Sequence, residues 1–497
     1  MKKLSCLNLL MCFLLAMQLL CLPVFATETE TAEPTETTQA TAPEYTMEEL
    51  GAITVNNGCR TIEAQVPLGG TDRIAKTALS AFVYEVNTNT VIHAYNPDMT
   101  VSPGVLAKLV TAIVAIENGD LDKELTVNSL SYQTLPSSAV RINASLKEGE
   151  KMTLWDMLHC MIMTWANDAA VTIAESVGGT QENFVQMMNQ WVQDAGCVST
   201  KFTNCHGISS VESTITARDM VRIYQKACRN SKFKELLATT AYTVEPTNKT
   251  ETERTLQAKN YLMEEYILSK YNYEGVTTGF APYGENYGAH LVCTAEKDGM
   301  SFVIVVLGAV REFGSNGWSV TYYGNYEEVW DLLDFAFDGY KLCRLLHESQ
   351  SLYQFTVANG ENQVVGQSGT AMDAILPVNA KMKNLLYKYT IKNGGLTAPI
   401  AKGESIATLQ IWYQNSCIAE TELYAMSTVR AVSDEALSIK NGGSGGGADL
   451  TGILAFVGVV CLVILIPFVI YLIINNVRRA MARNKRRRRR RSRRRSR

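Results

Sequence analysis

Ser102-Pro103-Gly104-Val105-Leu106-Ala107-Lys108-Leu109-Val110-Thr111-Ala112-Ile113-Val114 is the stretch around which the rest of this chain is organised. Ser102 followed by Pro103 reads as a helix start, because serine caps open N–H groups and proline's fixed φ suits the first helical position. Leu106, Leu109, Val110, Ile113 and Val114 then recur at three- and four-residue steps, which predicts a helix with one apolar stripe, stopping at Asn118-Gly119. Lys108 is out of keeping with this apolar run. An ammonium buried without a partner is costly, so a lysine kept here points to a use or to a dedicated partner.

Working outward, Leu79 to Tyr95 alternates apolar and polar residues around Asn87-Thr88-Asn89-Thr90, a hairpin signature. Thr153-Leu154-Trp155-Asp156 is a capping box opening an apolar helix through Met163, and a second helix begins at Asp168 and ends at Gly178-Gly179. Trp165-Ala166-Asn167 therefore falls in the joint between two buried helices. Thr216 to Asp219 caps a further helix. Thr277-Thr278-Gly279, Gly288 to Cys293 and Phe302 to Leu307 read as strands, with Lys297-Asp298-Gly299 as a turn. Sheet strands beside a helical joint are what a cleft between two layers requires. A helix is expected near Tyr326 to Leu346. Short alternating segments follow, including Ser405 to Tyr413 and Cys417 to Tyr424, and predict an all-β domain.

Both ends carry address information. Residues 1–26 join Lys2 and Lys3 to an apolar run and small residues at Val24-Phe25-Ala26, which reads as a secretory signal peptide cleaved after Ala26. Residues 27–48, rich in Thr, Glu and Pro, read as a flexible spacer. Leu450 to Ile474 carries no formal charge and is long enough to cross a bilayer. Fourteen Lys or Arg residues between Arg478 and Arg497 follow it, the bias that holds a tail in the cytoplasm. The expected arrangement is a single-pass cell-membrane protein with an extracellular ectodomain. Setting aside those cations with Lys2 and Lys3 leaves 30 basic against 49 acidic residues, so the exported part is acidic, near −19. The arginine tail then reads as a stop-transfer anchor touching anionic lipid, and no nucleic-acid partner is expected.

At 497 residues with 46% apolar content, the chain has material for two or three domains. Of twelve cysteines, Cys6, Cys12 and Cys21 would leave with the signal peptide and Cys461 would lie in the membrane. Disulfides are permitted outside, and Cys197 with Cys205 would close a short loop, although sequence does not fix the pairing. The five scattered histidines and the absence of a Cys-x-x-Cys pair suggest no metal site, and no cofactor is expected.

Three motifs along the chain resemble those of the penicillin-recognising serine hydrolases. Val105-Leu106-Ala107-Lys108 matches Ser-x-x-Lys, Trp165-Ala166-Asn167 matches Ser-x-Asn, and Thr277-Thr278-Gly279 matches Lys-Thr-Gly. Residues about 70 to 310 resemble the D-alanyl-D-alanine carboxypeptidases, the low-molecular-mass penicillin-binding proteins. Phe202-Thr203-Asn204-Cys205-His206-Gly207 is similar to that family's Asn-Pro-His-Gly segment, and Lys297-Asp298-Gly299-Met300 with Val305-Val306-Leu307-Gly308 to its last core hairpin. Lys402-Gly403-Glu404 leading into Thr408-Leu409-Gln410 resembles its small C-terminal domain. The fold implied is α/β (α+β): a β-lactamase/transpeptidase-like domain over 49–348, with a helical subdomain packed on an antiparallel sheet. A small β domain over 349–431, a Gly/Ser tether over 432–449, a transmembrane helix over 450–474 and a basic tail over 475–497 follow.

In working members the serine attacks the penultimate D-alanine carbonyl, and two backbone N–H groups face the developing oxyanion. Motif matching assigns those donors to Val105 and Phe280. This chain departs from the pattern at each catalytic side chain. Val105 replaces the nucleophile, Trp165 a proton-relay hydroxyl, Thr277 a cation, and Ala281 a threonine. Ser102, two turns before Lys108, is a poor stand-in. The resemblance thus implies a non-catalytic pseudoenzyme of bacterial peptidoglycan metabolism, with Lys108, Asn167, Thr278, Gly279 and Phe280 as candidates for binding a stem peptide. A partner protein of cell-wall assembly is the other expected contact. The alternatives are an active serine-type hydrolase using an unrecognised nucleophile, and a scaffold whose cleft is closed by Trp165.

Overall fold

The computed structural model describes residues 65–128, 146–208, 211–263, 269–317 and 319–432, apart from Arg73 and Ala75, together with Ile62 and Leu135. The expected signal peptide, the spacer, the 450–474 span and the basic tail lie outside the described residues. Among the described residues no helix is long and apolar enough to cross a membrane.

The central sheet is built from β1 (Ser80–Glu85), β2 (Thr90–Tyr95), β3 (Val276–Phe280), β4 (Gly288–Lys297) and β5 (Met300–Ala309), side by side in the order β2-β1-β5-β4-β3. Every neighbouring pair is antiparallel. β4 and β5 are joined by Asp298 and Gly299, at φ 53° and 78°. Two positive φ values in a two-residue loop match the right-handed twist of the strands, which is why an Asp-Gly pair serves there. All six residues of β1 are buried. Phe82 and Tyr84 enter a core shared with the helices on one face, while Ala81 and Val83 enter a second core on the other. The period-two alternation of the strand thus feeds two layers at once.

The first layer holds α1 (Ala107–Asn118), α2 (Leu154–Thr164), α3 (Asn167–Gly178), α4 (Gln181–Asp194), α5 (Ala217–Ala227) and α6 (Ser231–Ala238). The second is α7 (Gly324–Gly339), whose Val329, Leu332 and Leu333 pack beneath Val83 and Ile304. The expected helix start at Ser102 and Pro103 is corrected. Gly104–Leu106 is a single 3-10 turn with Gly104 at φ 48°, and regular helix begins only at Ala107. Ser102 offers its backbone carbonyl instead, which accepts from His290 Nε2 at 3.0 Å.

The helix expected to run to Leu346 ends at Gly339. Tyr340–Leu346 is a strand, paired antiparallel with Met372–Pro377, and that partner satisfies backbone groups a longer helix would have used internally. The C-terminal sheet follows, with Ser351–Phe355, Val364–Ser368, Ser416–Ala425, Ser405–Tyr413 and Leu385–Ile391 side by side. Leu409, Ile411 and Leu423 fill its core. Cys197 and Cys205, weighed above as a disulfide, are both free and buried.

Candidate active site

The three motifs meet at one edge of the helical layer. Helix α2 is started by the reciprocal capping pair of Thr153 and Asp156, with Asp156 N–H donating to Thr153 Oγ1 at 3.1 Å. It is ended by Trp165, which takes the left-handed conformation at φ 63°, ψ 27°. That conformation is costly for a bulky residue and reverses the chain sharply. The reversal places Asn167 at the first position of α3, facing α1.

Lys108 is completely buried on α1. Its Nζ donates to Asn167 Oδ1 at 2.6 Å and to the His206 backbone carbonyl. Burial pulls its pKa from the usual lysine range down to about 7, against the weaker opposing pull of Cys205 and Asp168. Burial first, and then the Lys108 charge, lower His206 to about 3. Lys108 therefore has its dedicated partners, and no hydroxyl or thiol among the described residues is hydrogen-bonded to it. Cys205 is close enough to feel its charge, but burial pushes that thiol up to about 12 and leaves it protonated and inert.

The loop carrying His206 is pinned from both sides. Asn189 Nδ2 donates to the Phe202 carbonyl at 2.8 Å, Thr111 Oγ1 donates to the Cys205 carbonyl at 2.6 Å, and Gly207 N–H donates to Asn204 Oδ1 at 2.7 Å. Gly207, at φ 77°, lies flat against the 3-10 turn, where an added Cβ would fall 2.1 Å from the Gly104 carbonyl oxygen and 2.9 Å from Val105 Cα. Backbone cannot yield as a flexible side chain does. Gly207→Ala is accordingly expected to lower stability by about 3 kcal/mol or more in urea unfolding, combining positive-φ strain with a backbone clash. A loss below about 1 kcal/mol would show that the loop and turn separate freely.

Val105, half-buried, presents an isopropyl group where the motif requires an attacking oxygen. Its N–H, the matched oxyanion donor, donates instead to the Tyr287 hydroxyl at 3.5 Å. The Tyr287 ring lies over the two glycines Gly104 and Gly284, where an added Cβ would meet it at 2.3 and 2.2 Å. It also stacks on His290 with centroids 4.9 Å apart. Desolvation raises the Tyr287 pKa well above the ordinary tyrosine value, so the phenol stays protonated. Tyr287 belongs to no motif, and sequence reading missed it. The signal is indirect, since Gly104 and Gly284 leave open the space its ring takes, and their approach appears only in three dimensions.

On β3, the Thr277 hydroxyl pairs with Thr294 Oγ1 at 2.8 Å. Thr278, singled out from sequence as a binding residue, is buried with its hydroxyl 2.5 Å from Thr294 Oγ1 and 2.8 Å from the Tyr224 hydroxyl. It is therefore engaged within the protein. Phe280 is buried opposite Val292, and Gly279 lies against the Asn260 amide. Lys259 Nζ sits 4.4 Å from the centre of the Trp165 ring, with the Thr164 carbonyl at 3.4 Å. Trp165, Lys259, Asn260, Gly279, Phe280 and Ala281 line one side of a cavity of about 10 Å³, whose wall includes none of Val105, Lys108 and Asn167. That is barely room for one water. Among the described residues no cluster of His, Cys, Asp and Glu could hold a metal ion.

A helical layer on an antiparallel sheet, with lysine and asparagine paired across α1 and α3 beside a sheet-edge Thr-Gly, defines the class of penicillin-recognising serine hydrolases. Residues 69–311 match the D-alanyl-D-alanine carboxypeptidase family, and residues 340–431 match the C-terminal domain of penicillin-binding protein 5. The chain belongs to the D-alanyl-D-alanine carboxypeptidase family, among the low-molecular-mass penicillin-binding proteins. It is 25% identical over 363 residues to D-alanyl-D-alanine carboxypeptidase DacF of Bacillus subtilis, covering 72% of this chain and 88% of that protein. With the D-alanyl-D-alanine carboxypeptidase of Streptomyces sp. K15 it shares 28% identity over 257 residues, 49% of this chain and 86% of the other. In fold it is similar to penicillin-binding protein 5 of Haemophilus influenzae, with TM-score 0.57 and 24% identity over 73% of this chain and 100% of that one.

Proposed function

We propose that this protein is a membrane-anchored, non-catalytic member of its family that serves peptidoglycan metabolism by contact and not by turnover. The observation that carries this reading is the Val105 position: no attacking atom on the side chain, and a backbone donor aimed at Tyr287. A hydrolase with a substitute nucleophile gains no support from the groups around Lys108, because the adjacent thiol is held protonated and the lysine is committed to Asn167 and His206. In this reading the cleft is closed at Trp165 and the contacts fall to the outer surfaces, with a protein of cell-wall assembly as partner. The uncharged 450–474 segment supports a single membrane span, and the cations from Arg478 onward support contact with anionic lipid on the inner face.

One observation favours a second reading, in which the cleft still takes a stem peptide. Asn260 Nδ2 is buried without a hydrogen-bond partner beside Gly279, a donor that a peptide carbonyl or carboxylate would satisfy. Calorimetric titration with an acyl-D-alanyl-D-alanine peptide separates the two. The closed-cleft reading expects no heat of binding at millimolar ligand. Saturable binding that weakens in Asn167→Ala would replace it with the peptide-binding reading.

A further inference from the structure

Tyr287 stands on a short loop with fixed feet and an exposed tip. Tyr283–Gly284 pairs antiparallel with Gly288 and Ala289, and Tyr287 N–H donates to the Gly284 carbonyl at 3.2 Å, so Glu285, Asn286 and Tyr287 form a tight turn at the start of β4. One foot is held by Tyr283, whose ring packs on Phe313 with centroids 5.7 Å apart and carries the Arg311 guanidinium 4.8 Å from its centre. The other is held by His290, whose Nδ1 accepts from Gly308 N–H at 2.9 Å while its Nε2 donates to the Ser102 carbonyl. These two bonds tie the 3-10 turn to the sheet without using Tyr287. Glu285 and Asn286, at the tip, are exposed.

A glycine stands at each end of this turn. Gly288 has φ 80°, a conformation glycine adopts without steric cost. Gly284 lies so close to the Tyr287 ring that an added Cβ would meet it at 2.2 Å. Backbone rotation at these two glycines swings the tip while β4 stays in place, which is how a hinged loop moves. The ring is kept over Gly104 and Val105 by its stack on His290, at an interplanar angle of 22°, and by the contact from Val105 N–H. At 3.5 Å that contact is longer than the usual range of about 2.7–3.2 Å, so it holds the ring weakly. The phenol oxygen stands where an incoming carbonyl oxygen would meet the same donor.

We propose that residues 284–288 form a lid in which Tyr287 is a plug supplied by the chain itself. Closed, its ring and hydroxyl fill the slot over Gly104 and Val105. Swung out about Gly284 and Gly288, it opens that slot to the carbonyl oxygen of an acyl peptide. The inference rests on the closed-cleft reading and says what closes the cleft at this end. Closure is then a conformational equilibrium, and the affinity observed for a ligand is the intrinsic affinity reduced by the open fraction. The Val105 N–H keeps its direction in both forms, because His290 fixes the turn that carries it.

The test is calorimetric titration of the full-length protein with an acyl-D-alanyl-D-alanine peptide, comparing wild type, Tyr287→Ala and Tyr287→Phe. Tyr287→Ala removes the plug and is expected to bind at least about tenfold more tightly than wild type. Tyr287→Phe keeps the ring and its stack, loses one long hydrogen bond, and is expected to stay within about threefold of wild type. Equal affinity in wild type and Tyr287→Ala overturns the lid. Absence of binding in both also overturns it, and leaves the closed-cleft reading standing. Saturable binding by wild type overturns the closed-cleft reading, and the lid then stands only if Tyr287→Ala still binds about tenfold more tightly. Hydrogen exchange on the wild-type protein decides the matter where the variant does not fold. The amides of 284–288 and of Val105 are expected to exchange at least about tenfold faster than those of 291–295, and equal protection would overturn the lid.

Discussion

Incubating the protein with penicillin is expected to leave its intact mass unchanged, while an active member of the family gains one penicilloyl group under the same conditions. An acyl-enzyme needs an oxygen or sulfur atom able to form the ester, and Val105 has neither. Loss of a nucleophile from a comparable catalytic unit costs about 10⁶-fold in turnover. Val105→Ser alone is expected to restore no measurable D-alanine release, for a reason that three dimensions supply. The Val105 N–H is already aimed at the Tyr287 hydroxyl, and Tyr287 occupies the space over Gly104 where a carbonyl oxygen would sit. Removing one oxyanion donor elsewhere costs about 10²–10³-fold in rate. Trp165 and Thr277 add to the deficit. A penicilloyl adduct on the wild-type chain would overturn the non-catalytic reading, and turnover by the single variant would show that Tyr287 moves aside.

The second large effect concerns Lys108. Its folded pKa, near 7, lies below the unfolded value near 10.5. Between those values the unfolded chain binds more protons than the folded one, so this group adds stability as pH rises. Below pH 7 both states are protonated and its penalty is fully present. From pH 7 to pH 9 the wild type is expected to gain about 2 kcal/mol relative to Lys108→Met, a side chain of similar length that cannot titrate. Urea unfolding of both proteins at the two pH values reads that difference. Comparing the pair cancels buried groups such as Tyr224, Tyr326 and Cys293, whose pKa values desolvation raises and which act in the opposite direction at alkaline pH. A difference that does not change with pH would mean the ammonium remains protonated in its pocket.

The hairpin around Asn87 to Thr90, the capping box at Thr153 and the Asp298-Gly299 turn were legible because each rests on local chemistry: a two-residue period, a reciprocal cap, a pair of residues tolerant of positive φ. The start of α1 was misread because Ser102-Pro103 looks like a cap. Gly104 instead turns the backbone left-handed to admit Tyr287, a residue 183 positions away in the chain. The end of α7 was misplaced for a related reason. Tyr340–Leu346 has a pattern that either a helix or a strand could use, and only its pairing with Met372–Pro377 decided between them.

By itself the sequence determined the family frame and the losses within it: valine, tryptophan and threonine at three positions where the chemistry needs hydroxyl, hydroxyl and cation. Those are identities, and no packing can change them. It also marked Lys108, because a lysine in an apolar helical stripe is expensive wherever it falls. Only the tertiary structure decided what became of the vacated site. The ammonium is satisfied by Asn167 and the His206 carbonyl, Thr278 is drawn into a hydroxyl network with Thr294 and Tyr224, and Tyr287 accepts the donor once matched to an oxyanion. Each of these contacts joins segments distant in the chain. A buried polar group takes whichever partner the packing brings within hydrogen-bonding reach.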